Sequence, residues 1–214
     1  VTFVFEDIDD VEMERRRSVV EPLTDAVRDL VDAVIRTEVA EGEIPDVTAA
    51  VRAVTERLRS RQSDGPYGVR YTRAGTGMPW GNPAVGVRNA VAPPMRVQAG
   101  DDGLRWADVR LGAAYEGPPG LVHGGICALL LDHLLGEAAG ADGTPSFTGT
   151  ISVRYLRETR LGPVHLEART DRYDGPKKFV TGTLSDADGP SVVADAVFVI
   201  PRWARATPPQ EAPQ

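Results

Sequence analysis

Cysteine is almost absent from this sequence. Cys127 stands alone among 214 residues, which excludes an internal disulfide and any site built from several thiolates. Histidine is nearly as scarce, and His123, His133 and His165 form no HExxH pattern, so metal catalysis is not expected. No apolar run approaches the roughly 18–20 residues that cross a bilayer. The opening stretch VTFVFEDIDDVEMERRR lacks the basic-then-apolar order of a signal peptide, which leaves the cytoplasm as the expected location. Positive charge is also short: the formal net charge is -7, a poor match to nucleic acid or an anionic membrane surface. Lysine occurs only at Lys177 and Lys178, all other basic side chains being Arg.

What is present is enough for a real core, with 42% hydrophobic residues in a length that suits one domain plus an extension. Residues 1–64 read as a helical extension. In EPLTDAVRDLVDAVIRTEV the positions Leu23, Val27, Leu30, Val31 and Val34 recur at helical spacing behind Pro22, which is read as a first-turn residue. A shorter helix after IPD carries Val47, Val51, Val54 and Leu58 on one face. Residues 65–94 are rich in Gly and Pro without a sustained period and read as a connection with one short strand at most.

From 95 to 203 the period changes to two. LRWADVRL alternates, an apolar helix follows, and then come SFTGTISVRYLR, PVHLEARTDRY, KKFVTGTLSD and SVVADAVFVIPRW, separated by the turn sequences LGP, DGP and ADGP. Residues 204–214 read as a disordered tail. In the helix, Ile126, Leu129, Leu130, Leu131, Leu134 and Leu135 occupy nearly every azimuth, as a helix enclosed by a sheet requires. The expected fold is therefore α+β, an antiparallel sheet wrapped on a central helix in the hotdog arrangement, with an N-terminal helical extension.

That helix holds an acid, Asp132, where none is expected. Gly124 and Gly125 stand at its start, where backbone N–H groups have no partner within the helix and partial positive charge gathers. Seven residues separate Gly125 from Asp132, about 10 Å at 1.5 Å per residue, too far for one substrate carbonyl to meet both. If both serve one site they belong to different chains, and a two-fold dimer with antiparallel central helices supplies that pairing. The residues alone equally allow a salt-bridged or bend-facing carboxylate. Cys127 and His133 lie six residues apart on different faces and make no dyad, and no GxSxG elbow is present.

GPPGLVHGGICALLLDHLLG followed by FTGTISVRYLRETRLGP resembles the acyl-CoA thioesterases of the hotdog superfamily. The similarity is to the PaaI-like branch, which includes mammalian mitochondrial thioesterases with an EGPPG-VHGG signature, and it runs from about Asn89 to Trp203. It implies hydrolysis of an acyl-CoA to free acid and CoA. Asp132 matches the carboxylate that activates water or attacks the thioester, and Gly125 the glycine whose N–H polarises the carbonyl. His123 matches the histidine that orients the thioester, and Thr148 the threonine that places the water or the carboxylate. Gly124 is expected beside the substrate, with Lys177, Lys178 and, with weaker support, Arg154 or Arg157 at the phosphates of coenzyme A. Two solvated turn lysines are an equal alternative for the first pair. No cofactor beyond the CoA of the substrate is implied, and the active form is a homodimer or tetramer. Glu158 departs from the family, which usually has Pro there. Two other readings stand behind this one: a non-catalytic hotdog that binds acyl-CoA as a sensor or scaffold, and a hotdog dehydratase or hydratase, for which NPAVG at Asn82 lacks the following His.

Overall fold

The computed structural model describes residues 4–205; the tail from Ala206 onward lies outside the described residues. The chain divides between Pro93 and Pro94 into two compact units.

In the first unit, strand β1 (Val4–Phe5) pairs in parallel with β2 (Arg70–Tyr71), which pairs antiparallel with β3 (Gly77–Met78). Helix α1 runs from Asp10 to Arg36. It begins a dozen residues before the apolar period suggests, because the Asp9 carboxylate accepts the Glu12 N–H at 2.8 Å and caps the helix. Pro22 is therefore an interior residue and not a first-turn one. Proline cannot donate to the carbonyl of Ser18, but both residues are exposed and water can take that acceptor. The stretch 65–94 does more than connect. Met78, Trp80 and Val87 form a small buried cluster with Ile8, Met13 and Tyr67 against them. The Arg28 guanidinium pins the same stretch to α1, donating to the carbonyls of Ala92, Gly86 and Asn89. Helix α2 (Ile44–Arg59) has no buried residue.

The second unit is a six-stranded antiparallel sheet around one helix. Its strands are β4 (Gln98–Ala99), β5 (Arg105–Leu111), β6 (Phe147–Tyr155), β7 (Gly162–Asp174), β8 (Lys177–Asp186) and β9 (Gly189–Val199), in the order β4-β5-β7-β8-β9-β6. Helix α3 (Gly124–Ala139) lies on the inner face, where Leu130, Leu131, Leu134 and Leu135 are wholly buried. They meet the inward residues of alternating strands, among them Leu111, Leu166, Val180 and Val192. This is the hotdog arrangement. The sheet does not close around every azimuth of α3, however. Ile126, Leu129, Asp132 and His133 are only partly buried and form an open flank. Among the described residues strand β6 pairs only with β9, which leaves it at the edge of the sheet. No helix among the described residues is long and apolar enough to cross a membrane.

Lys178, expected at the phosphates of CoA, is fully buried instead. Successive strand residues face opposite sides, so Lys177 is exposed while Lys178 enters the core. Its Nζ donates to Ala139 O at 2.7 Å, Asp142 Oδ1 at 2.7 Å and Thr144 O at 3.0 Å, using all three protons. A cation at the C-terminus of α3 also faces the negative end of the helix. Burial works against the Asp142 carboxylate, but hydrogen bonds from Lys178 and Thr144 prevail and hold its pKa below the ordinary value. Lys178→Met fits the volume but orphans these acceptors, and should lower the unfolding free energy by about 3 kcal/mol. Urea denaturation checks this; an unchanged midpoint would show that the buried ammonium contributes nothing net.

Candidate active site

The chain enters α3 through EGPPGLVHGG, and each small residue there has a mechanical reason. Gly120 adopts φ 76°, and its N–H donates to Glu116 Oε1 at 2.7 Å. Gly117 donates to Leu121 O at 2.9 Å, and a Cβ at Gly117 would stand 2.9 Å from His123 Cα, so no side chain fits without moving that backbone. His123 is held in turn by its N–H to Tyr115 O at 2.9 Å. The result is a tight loop that delivers His123 to the N-cap of α3.

At the N-cap, His123 Nδ1 accepts the N–H of Gly125 at 3.0 Å, which requires the neutral ring with its proton on Nε2. The donor expected to polarise a thioester is thus already engaged. The Gly124 N–H has no acceptor among the described residues, which makes it the ready donor at this helix start. Tyr155, on the free edge strand, secures the same point: its hydroxyl donates to Gly124 O at 2.8 Å. Its ring lies 3.3 Å from where a Cβ at Gly124 would stand. This anchor was not legible in the sequence, because its partner is a backbone carbonyl.

Two turns further on, Thr148 Oγ1 donates to Asp132 Oδ1 at 3.1 Å, joining α3 to β6 across sixteen residues of sequence. Asp132 sits on the open flank with no Arg or Lys paired to it among the described residues, so the salt-bridged alternative does not apply. The neighbouring His133 is mostly buried, and that burial pushes its imidazole pKa down against the smaller upward pull of Glu137 and Asp132. Its Nε2 lies 3.6 Å from Glu137 Oε1, beyond hydrogen-bonding distance, and has no hydrogen-bond partner among the described residues. Burial therefore disfavours the charged form of this ring beside Asp132. Cys127 is a core thiol, its pKa raised by burial, facing Thr159 Oγ1 at 3.9 Å.

Within one chain, then, His123, Gly124, Gly125 and Tyr155 gather at the helix start, while Asp132 and Thr148 gather in its middle. Of the cations considered for the CoA phosphates, Lys177 and Arg154 are exposed. Arg157 is committed to Asp186, with Nη1 2.9 Å from Oδ2, and to Gly189 O. Among the described residues no three His, Cys, Asp or Glu side chains are grouped as a metal would need.

The family model for the thioesterase superfamily matches residues 119–193, the segment holding both clusters. A solved thioesterase superfamily protein is 35% identical over 84% of this chain and 94% of its own, with a TM-score of 0.76. The chain belongs to the thioesterase superfamily. A phenylacetic acid degradation-related protein of Ralstonia eutropha is 25% identical over 50% of this chain and 85% of its own, with a TM-score of 0.47. A Streptococcus mutans protein solved with acetyl CoA is 18% identical over 52% of this chain and 91% of its own, with a TM-score of 0.48. The assignment rests on the first of these three structures, whose alignment reaches into the N-terminal unit.

The loop that feeds α3 offers a direct check. Gly117→Ala forces a Cβ against the His123 backbone and should cost about 1–3 kcal/mol, the range for overpacking, read as a lower denaturation midpoint. A midpoint equal to wild type would show that the entry to α3 is looser than this packing requires.

Proposed function

We propose that this thioesterase superfamily member hydrolyses acyl-CoA, with Asp132 as base or nucleophile and the start of a partner's α3 as the oxyanion site. The observation that carries the reading is the Asp132–Thr148 hydrogen bond. An acid on an open flank, unpaired by any cation and oriented by a hydroxyl, has no evident structural duty. Thioester hydrolysis asks for such a base near the carbonyl carbon and for fixed donors at its oxygen.

The steps follow from these groups. A water oxygen bonds to the thioester carbon while Asp132 takes its proton, or the carboxylate itself makes that bond and water later cleaves the acyl-enzyme. The carbonyl oxygen gains negative charge and is received by the helix start. The uncapped Gly124 N–H is the primary donor there, and the Gly125 N–H adds to it when the His123 imidazole turns toward the thioester. Collapse of the tetrahedral centre breaks the C–S bond, and the CoA sulfur leaves with a proton. Because the two clusters are about 10 Å apart on one helix, the reading places them in different chains of a homodimer. The open flank of α3 and the free edge of β6, with Phe147 and Tyr155 half exposed, support that arrangement. Lys177 and Arg154 are the cations left for the CoA phosphates.

Free-thiol release from short, medium, long and aromatic acyl-CoAs tests the reading. Wild type should turn over at least one class, and Asp132→Asn should lose roughly a hundred- to ten-thousand-fold with its melting temperature unchanged. A folded wild type that binds acyl-CoA but releases no thiol would replace the enzyme with a sensor.

A further inference from the structure

We infer that helix α2 is a self-association element, packing antiparallel against α2 of a second copy of this chain. The inference is independent of the reaction assigned to the site.

Helix α2 presents Ile44, Val47, Val51, Val54 and Leu58 at alternating spacings of three and four residues. That is an uninterrupted apolar seam of the kind that meets another helix. None of the five is buried; they are 37% to 57% exposed. A helix of 16 residues draws most of its stability from packing such a face, yet α2 buries nothing. Something has to lie on the seam, and the charges say what. The N-terminal end of α2 and the turn before it carry Glu38, Glu41, Glu43 and Asp46, while the second half and the residues after it carry Arg52, Arg57, Arg59 and Arg61 with one acid, Glu56, paired to Arg59. An antiparallel copy sets each acidic end beside the other's basic end and opposes the two helix dipoles. A parallel copy would set like charges together. The seam is also self-complementary about its middle: Ile44 meets Leu58, Val47 meets Val54, and Val51 meets its own copy near the two-fold axis.

Single cysteines on the seam of the full-length protein test this, because their sites are exposed and the native Cys127 is buried. With Val51→Cys the two sulfurs face each other, and mild oxidation at low micromolar protein should give a covalent dimer. With Val47→Cys the two copies stand roughly 12 Å apart along the axis at 1.5 Å per residue, beyond the reach of a disulfide, and the dimer yield should be at least severalfold lower. No covalent dimer from Val51→Cys, or an equal yield from Val47→Cys, would overturn the inference. Thiol release by the reduced variants, read in the same samples, reports separately on the hydrolytic site.

Discussion

Each residue of an α-helix advances about 1.5 Å, so the seven or eight steps from the helix start at Gly125 and Gly124 to Asp132 fix roughly 10–12 Å between the proposed oxyanion donors and the carboxylate. Neither group can approach the other, because both belong to one rigid element whose four central leucines are locked in the sheet. The rest of the proposed site follows from that spacing. A single thioester can be served only if a second helix runs the opposite way alongside. The flank of α3 that bears Ile126, Leu129, Asp132 and His133 is only partly buried, as the proposed pairing asks.

The two clusters are built by different physics. At the helix start, geometry is set by backbone packing: Gly117 leaves room for His123, and Tyr155 holds the Gly124 carbonyl. In the middle, orientation comes from one side-chain hydrogen bond, Thr148 to Asp132, in which the donor rides on the edge strand. At the far end Lys178 ties the last turn of α3 to the loop that leads into that same strand. The helix is thus fixed at both ends and indexed to β6 at its centre. A carboxylate held in this way suits the role proposed for Asp132, because little reorientation would be asked of it.

Much of this was legible in the residues. Period-two runs between Gly-Pro turns identified the antiparallel strands, and an acid in the middle of an apolar helix marked the candidate site. Thr148 and Asp132 were paired by resemblance, and the structure puts them in contact. What was not legible depended on geometry that spacing does not carry. Pro22 looked like a helix start because the apolar period begins there, while the true start is a capping carboxylate at Asp9 in a charged stretch. Lys177 and Lys178 looked alike as neighbours at a turn, but strand alternation sends one to solvent and the other to the core. Gly125 seemed the natural donor until the His123 ring proved to cap it, a contact made by a side-chain rotamer.

The claim on which the account turns is that one site takes Asp132 from one chain and the helix start from another. Mixed dimers test it most directly: an Asp132→Asn chain combined with a chain carrying Gly124→Val, each folded and inactive alone. If the site is shared, every mixed dimer holds one intact site, and random pairing should restore about a quarter of wild-type thiol release. Mixed dimers that form but stay inactive would contradict the account, since a site contained within one chain gains nothing from exchange.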